Sequence, residues 1–190
     1  MAGWQLDRGR IAAVPGPVLV VVMDGVGLGP GDAGDAVRLA RTPTLDRLMA
    51  ERGHLALAAH GTAVGLPSDA DMGNSEVGHN ALGAGKIYDQ GAKLVENAIA
   101  DGSLFEGDTW RWLVDGARAS GEALHFIGLL SDGNVHSHED HLHAMLRAAA
   151  RQGIQTARVH PLLDGRDVGA MTALTYLDRL EAVLGAPSTA

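Results

Sequence analysis

"ALHFIGLLSDGNVHSH", residues 123–138, decides the fold class of this 190-residue chain. Its first half is a largely apolar run, which predicts a buried strand. The polar second half predicts a loop at the carboxyl end of that strand. A helix predicted over 139–153 and another strand over 156–163 come next. Because strand, helix and strand alternate, we expect right-handed crossovers and a parallel sheet.

The same alternation is predicted on the amino-terminal side. "VLVVVM" (18–23) and "HLALAA" (54–59) predict two more buried strands. Between them Thr42 and Pro43 predict a helix start, with Thr42 as the N-cap. Further helices are predicted from Ser75 and over 91–102, 108–120 and 172–184. The expected fold class is therefore α/β, with mostly parallel sheets flanked by helices.

Composition narrows the classes of function. The formal net charge is −8, which argues against nucleic acid or an anionic membrane as the main partner. The chain has no cysteine, which excludes disulfides and thiolate metal sites and fits a reducing compartment. No apolar run reaches the roughly 18 residues of a membrane span, and the start lacks a signal-peptide pattern. These features predict a soluble, cytoplasmic protein.

Asp24 directly follows the first predicted strand. An aspartate in this place forms a turn or caps a helix about as often as it has a function. The functional alternative is a carboxylate ligand for a hard divalent cation. Asp24 and Ser75 are expected at successive strand ends of one sheet, where they could share a metal.

Ser75 lies in "MGNSEVGH", residues 72–79. A serine followed by an acidic residue at a helix start is a good cap. A nucleophilic serine needs activation, and no obvious histidine base or G-x-S-x-G elbow surrounds it. A metal could activate the hydroxyl instead, and a helix N-terminus would favour phosphate. Both interpretations remain open on the pattern alone.

"HSHEDH", residues 136–141, has the spelling of a dinuclear zinc motif of metallo-β-lactamase-type hydrolases. The alternative is that His138, His141 and His143 begin a solvated helix face. In that case His136, in the preceding loop, is the candidate for binding a substrate anion.

"DGRD", residues 164–167, follows another predicted strand. One interpretation is a turn with a surface ion pair of little energetic value. The other is that Arg166 binds a carboxylate or phosphate through its planar fork, with Asp167 close enough to take a hydroxyl proton. "GPGDAG" (29–34) spells G-x-G-x-x-G but does not directly follow a strand, so we predict a loop and no nucleotide site.

Five blocks together resemble one family, the cofactor-independent (2,3-bisphosphoglycerate-independent) phosphoglycerate mutases. The resemblance extends from about Val18 to about Leu184. The blocks are "VVMDGVGLG", "ARTPTLDRL", "GLPSDADMGNSEVGHNALGAGKI", "IGLLSDGNVHSH" and "LLDGRDV". The "MGNSEVGH" and "SDGNVHSH" blocks are the most specific.

The resemblance implies an alkaline-phosphatase-like metal-binding domain, of which residues 1–86 are the first part. Residues 87–190 would begin an inserted α/β domain that binds phosphoglycerate, with the glycines at 83–85 near the boundary. The family uses two divalent cations, Mn²⁺ or Mg²⁺, needs no 2,3-bisphosphoglycerate or nucleotide, and is usually monomeric.

The resemblance also implies a role for each site residue. Asp24 and Ser75 match ligands of one metal. Ser75 would take the phosphoryl group of 3-phosphoglycerate as a phosphoserine and return it to the 2-hydroxyl. His136, Arg166 and Asp167 would bind the substrate, and Asp167 would also handle the hydroxyl proton.

Family members are more than twice as long as this chain. We therefore expect an amino-terminal portion that lacks most metal ligands and is inactive alone. Lys86 stands where the family more often has arginine. The alternatives that remain are a zinc hydrolase that uses "HSHEDH" and a non-catalytic phosphate-binding module.

Overall fold

The computed structural model describes residues 15–51 and 53–185. The chain divides into two compact units between Leu55 and Ala56. This position differs from the predicted domain boundary at 86/87, and that boundary stays a prediction. Within the described ranges, no helix combines the length and the apolar character that crossing a membrane requires.

The first unit contains α1 (Ala36–Leu39) and α2 (Pro43–Glu51). α2 begins at Pro43, as predicted. The Thr42 carbonyl accepts a hydrogen bond from the Asp46 N–H at 2.8 Å, which is the backbone pattern of an N-cap. The Thr42 hydroxyl donates to the Asp46 carboxylate at 2.9 Å instead of capping a backbone N–H.

The prediction of strands at 18–23 and 54–59 is wrong, because neither stretch pairs as a strand in the described residues. Leu19 is 86% exposed and Leu55 is 89% exposed. An apolar run becomes a strand only when another backbone segment takes its hydrogen bonds and an apolar layer covers it. Asp24 consequently lies in an exposed turn and not at a strand end.

The second unit is built around a parallel pair of strands, as predicted. β1 (Leu124–Leu130) pairs with β2 (Ala157–Leu163), with Leu124 opposite Ala157 and Leu130 opposite Leu163. The connection between them contains a helix of 13 residues. The protein is therefore α/β.

Helices pack against one face of this sheet. Within its described residues, the second unit also contains a short 3₁₀ helix, Gly61–Val64, and six α-helices. These are α3 (Ser75–Ala84), α4 (Gly91–Ala100), α5 (Ser103–Glu106), α6 (Asp108–Ser120), α7 (Glu139–Arg151) and α8 (Ala173–Gly185).

One face of the sheet is buried by two apolar clusters. The first consists of Trp110, Val114, Leu124, Ala148 and Ala149, and the second of Leu130, Leu146, Tyr176 and Leu180. Burial of each large side chain stabilises the fold by about 1.5–3 kcal/mol. Because Leu130 is only 1% exposed, the carboxyl end of β1 has a fixed position. The other face is open: Ile127 is 75% and Leu162 57% exposed, so β1 is buried on one side only.

Candidate functional site

A buried hydrogen bond joins the loops that follow the two strands. The Ser131 hydroxyl donates to Asp164 Oδ2 at 2.6 Å. Ser131 is 1% and Asp164 8% exposed. Each residue comes directly after its strand, and the parallel register brings both to the same edge of the sheet.

Asp164 also organises the "DGRD" turn. Its Oδ1 accepts the Arg166 N–H at 2.9 Å and the Asp167 N–H at 3.2 Å, as in an Asx turn. The Ser131 hydrogen bond, followed by the Arg166 N–H, lowers the pKa of Asp164, although burial acts in the opposite direction. Asp164 therefore fixes the backbone from which the Arg166 and Asp167 side chains project.

The structure brings two predicted substrate residues into direct contact. His136 Nδ1 lies 2.6 Å from Asp167 Oδ2. The Asp167 side chain is 9% exposed and that of His136 is 58% exposed. Arg166 is also exposed at this edge of the sheet. An accessible imidazole on a shielded carboxylate can bind an anion and move a proton, and the exposed Arg166 directly precedes Asp167 in the sequence.

The loop after β1 is also held from the side of α8. The Tyr176 hydroxyl donates to Asp132 Oδ1 at 2.6 Å. Arg179 Nη1 donates to Asp132 Oδ2 at 3.2 Å and to the buried Glu139 at 2.6 Å. The Tyr176 hydrogen bond is the main reason that the pKa of Asp132 is lowered. No local pattern in the sequence indicated these contacts.

Ser75 is the first residue of α3, and Asn74 is the cap. Asn74 Oδ1 accepts the Val77 N–H at 3.1 Å. Ser75 itself is exposed, and its hydroxyl makes no capping contact. Asn74, and not Ser75, therefore caps α3. The Ser75 hydroxyl lies exposed beside the N-terminus of the helix and does not serve as its cap.

His79 is a neighbour of Ser75 that the sequence reasoning missed. Its Nδ1 lies 3.3 Å from Ser75 Oγ and 2.7 Å from the Ser75 carbonyl oxygen. The spacing S-x-x-x-H on a helix could have signalled this contact. When Nδ1 carries the proton and donates it to the carbonyl, it cannot also accept the hydroxyl proton. That geometry favours an orienting contact over a general base.

Asp24 belongs to the first compact unit and Ser75 to the second. Their joint metal site stays a prediction. A hard divalent cation takes about six oxygen ligands. Within residues 15–51 and 53–185, no group of three or more histidine and acidic side chains could hold a metal ion. The donors in this part of the chain do not complete a metal site.

The side chains of the "HSHEDH" hexapeptide do not converge as zinc ligands would. His136 contacts Asp167. His138 caps α7, with Nδ1 accepting the Asp140 N–H at 3.2 Å. The His138 and His141 rings lie 5.7 Å apart, and burial lowers the pKa of His141. This geometry does not favour the zinc-hydrolase alternative.

The protein is an α/β protein with a candidate site for a phosphorylated or carboxylated ligand. The site combines an exposed serine at a helix N-terminus with a histidine–aspartate pair at the carboxyl ends of parallel strands. The sequence matches the family described as BPG-independent PGAM N-terminus over residues 95–189. The chain therefore belongs to the 2,3-bisphosphoglycerate-independent phosphoglycerate mutase family, whose members are isomerases.

Individual relatives agree with this family. The 2,3-bisphosphoglycerate-independent phosphoglycerate mutase of Trypanosoma brucei brucei is 51% identical over 168 residues, 88% of this chain and 30% of that protein. The Zea mays protein of the same name is 48% identical over 167 residues, 86% of this chain and 29% of that protein. A crystal structure of Leishmania mexicana phosphoglycerate mutase at low cobalt concentration matches with a TM-score of 0.77 and 51% identity, covering 86% of this chain and 30% of that one. The chain thus spans about 30% of the length of these relatives.

Proposed function

We propose that this chain supplies the phosphoryl acceptor and part of the substrate site of a phosphoglycerate mutase that interconverts 3-phosphoglycerate and 2-phosphoglycerate. The observation that carries the proposal is the 2.6 Å contact between His136 and Asp167, next to Arg166, at the carboxyl ends of the parallel strands. Family membership indicates the substrate class. The reaction belongs to glycolysis.

The proposed chemistry is two transfers in line. In the first, a bond forms between Ser75 Oγ and phosphorus while the bond from phosphorus to O3 of 3-phosphoglycerate breaks. The Ser75 proton is lost and the departing O3 gains one, which leaves glycerate and phosphoserine. In the second, a bond forms between O2 of glycerate and phosphorus while the bond from phosphorus to Ser75 Oγ breaks. O2 loses its proton and Ser75 Oγ gains one, which leaves 2-phosphoglycerate and the free Ser75 hydroxyl. No oxidant or reductant is needed.

The proposed residue roles follow from charge and exposure. Arg166 binds the carboxylate or phosphate of the substrate through its guanidinium fork. Asp167 exchanges the proton of the glycerate hydroxyl, and His136 contacts both Asp167 and the ligand. Transfer at a dianionic phosphate depends mainly on positioning and electrostatic stabilisation, so cationic groups matter more than acid–base strength.

We propose that the active protein uses divalent cations, Mn²⁺ or Mg²⁺, with Asp24 and Ser75 among the ligands of one of them, and uses neither 2,3-bisphosphoglycerate nor a nucleotide. Because the donor set in the described residues is incomplete, the proposed steps involve only the residues of this chain and the substrate. Titration of the chain with Mn²⁺, followed by electron paramagnetic resonance, measures what affinity these two residues provide. An Asp24→Ala variant is the control.

The domain division at 86/87 is also a proposal. Residues 1–86 would begin a phosphatase-like metal-binding domain and residues 87–190 a phosphoglycerate-binding domain, with a hinge at the glycines of 83–85. A cytoplasmic location and a monomeric state are proposed as well. Cell fractionation and analytical ultracentrifugation test them.

Complementation tests the mutase proposal. We expect the 190-residue polypeptide alone to show no turnover of 3-phosphoglycerate. Turnover should appear when it is mixed with the part of a relative that lies beyond the match, and Ser75→Ala should abolish it. Ser103→Ala, at another exposed helix start, is the matched control and should leave turnover unchanged. Turnover that survives Ser75→Ala would contradict the proposed acceptor, and anion binding with no turnover in the mixture would support a non-catalytic phosphate-binding module.

A further inference from the structure

Asn134 has an unusual backbone conformation. Among residues 15–51 and 53–185, it is the one non-glycine residue with a positive φ, at 57°. Asparagine enters this left-handed region more readily than most residues, but glycine does so more readily still. Replacing Asn134 with glycine would therefore remove the side chain and still allow the backbone conformation of the loop.

That side chain makes a specific contact with a distant segment. Asn134 Nδ2 donates to Asp71 Oδ1 at 2.7 Å, across 63 positions of the sequence. Asp71 Oδ2 accepts from the Ser68 N–H at 2.6 Å and from the Ser68 hydroxyl at 2.8 Å. The Asp71 carbonyl accepts the Gly61 N–H at 3.0 Å. Asp71 is thus held in place by its own segment, and Asn134 contacts a fixed acceptor.

The charge of the Asp71 carboxylate strengthens this hydrogen bond. Burial alone would raise the pKa of Asp71, but the hydrogen bonds from Asn134 and Ser68 outweigh it and lower that pKa. The carboxylate is therefore ionised at neutral pH. A hydrogen bond from an amide to a charged acceptor is stronger than one between neutral groups.

The two partners belong to the two segments that carry the residues of the proposed reaction. Asp71 precedes Ser75 by a short segment that is packed tightly, because an added Cβ on Gly73 would overlap the Ala59 carbonyl oxygen. Asn134 lies in the same loop as His136, whose ring contacts Asp167. One hydrogen bond consequently joins the segment of the phosphoryl acceptor to the loop of the substrate pair.

We propose that Asn134 and Asp71 are positioning residues whose hydrogen bond sets the separation between Ser75 and the His136–Asp167 pair. This role rests on the proposed mutase function, and the separation itself can be measured without it. Neither residue contacts the reacting atoms. Both act by limiting how far the acceptor helix α3 and the substrate loop move apart.

The chain is suited to a distance measurement because it has no cysteine. Spin labels on Leu82→Cys in α3, which is 64% exposed, and on Arg147→Cys in α7, also exposed, report the separation by double electron–electron resonance. α7 follows the substrate loop, since its Glu139 N–H donates to the Ser131 carbonyl at 2.7 Å. The doubly labelled chain that keeps Asn134 and Asp71 should give one narrow distance distribution.

Substitutions at positions 134 and 71 distinguish the effect of the hydrogen bond from that of the backbone conformation. Asn134→Gly eases the positive φ and removes only the amide, so the loop should fold while the distance distribution broadens. Asn134→Asp sets two carboxylates against each other and should broaden it further. The double variant Asp71→Asn with Asn134→Asp should restore the narrow distribution, because the amide introduced at position 71 could accept from Ser68 and donate to the carboxylate introduced at position 134.

A matched control removes a similar bond elsewhere. Asn97 Nδ2 donates to Asp89 Oδ2 at 2.9 Å without joining the two segments, so Asn97→Ala should leave the distribution narrow. An unchanged distribution in Asn134→Gly, or failure of the double variant to restore it, would overturn the proposal. The result does not depend on catalysis.

Turnover in the complemented mixture gives the second readout. Asn134→Gly should lower kcat by about tenfold or more, because reacting groups that are no longer held at a fixed separation reach the reactive geometry less often, and the double variant should recover it. A broadened distribution with kcat unchanged would overturn the positioning role, while the mutase proposal would stand. If Ser75→Ala leaves turnover intact, the mutase proposal fails, and the distance data still decide whether the contact holds the two segments.

Discussion

Gly133 and Asp167 approach each other so closely that no side chain fits between them. An added Cβ on Gly133 would lie 2.8 Å from the Asp167 Cβ and 3.1 Å from its carbonyl oxygen. Asp167 can therefore occupy its position against His136 only because residue 133 is a glycine.

Replacing Gly133 with alanine tests this packing. We expect Gly133→Ala to push Asp167 away from His136 and to destabilise the fold by about 1–3 kcal/mol, the usual effect of overpacking. Gly116→Ala in α6 is the matched control, because its added Cβ meets open space. That variant should stabilise the protein by roughly 0.5–1 kcal/mol. Urea denaturation measures both, and equal effects would refute the close approach.

The Ser131 hydroxyl is expected to stabilise the buried Asp164. Ser131→Ala removes a donor from a shielded carboxylate and should reduce the free energy of unfolding by about 1–3 kcal/mol. Ser120→Ala removes two exposed hydrogen bonds, one donated to the Ala117 carbonyl and one accepted from the Glu122 N–H, and should change the free energy of unfolding by less than about 0.5 kcal/mol. A loss no greater than that of the control would contradict the importance of the pair.

Acid should reveal the same hydrogen bond. The pKa of Asp164 is lowered from its ordinary value of 3.8 by the Ser131 hydroxyl and then by backbone N–H groups. Its contribution to stability is thus complete above the unfolded-state pKa and is lost as the pH falls through the lower folded-state pKa. The free energy of unfolding, measured from about pH 5 downwards, should fall less steeply with decreasing pH for Ser131→Ala than for the unaltered chain. Parallel curves would show that the hydroxyl does not set this pKa.

Tyr176 should stabilise the substrate loop through Asp132. Tyr176→Phe keeps the ring in the apolar cluster and removes only the hydroxyl, so we expect a loss of about 1–2 kcal/mol. In a double-mutant cycle with Asp132→Asn, the coupling energy should be of similar size. Asp132 and Tyr176 would be independent, against this expectation, if the two losses simply added.

Prediction from sequence succeeded where the tertiary structure supports the local signal. Pro43 begins α2 because its fixed φ and missing N–H suit a first helical position. β1 and β2 formed as predicted because each has the other as partner and helices to cover one face. The run at 18–23 has equal strand propensity, but pairing and cover are properties of tertiary structure and cannot be read from the run itself.

The same limit applies to the site. The sequence places His136 and Asp167 in loops that follow two strands, and a parallel sheet gathers such loops at one edge, where the two side chains meet. Their roles in binding a substrate stay a prediction. The contact between Asn134 and Asp71 spans 63 positions and depends on one left-handed backbone angle, which no local pattern encodes. Asn74, and not the adjacent Ser75, caps α3, and the sequence does not decide between them because neighbouring polar residues compete for the capping position.

The register of the two strands has a consequence for folding. Leu130 opposite Leu163 is the pairing that delivers Asp164 to the Ser131 hydroxyl. A slip of β2 by one residue would reverse the faces of its side chains and leave a carboxylate buried without its donor. Misregistered chains would therefore be penalised at the same place where the substrate loops meet, so the polar pair at the end of the sheet also selects the native alignment of the strands.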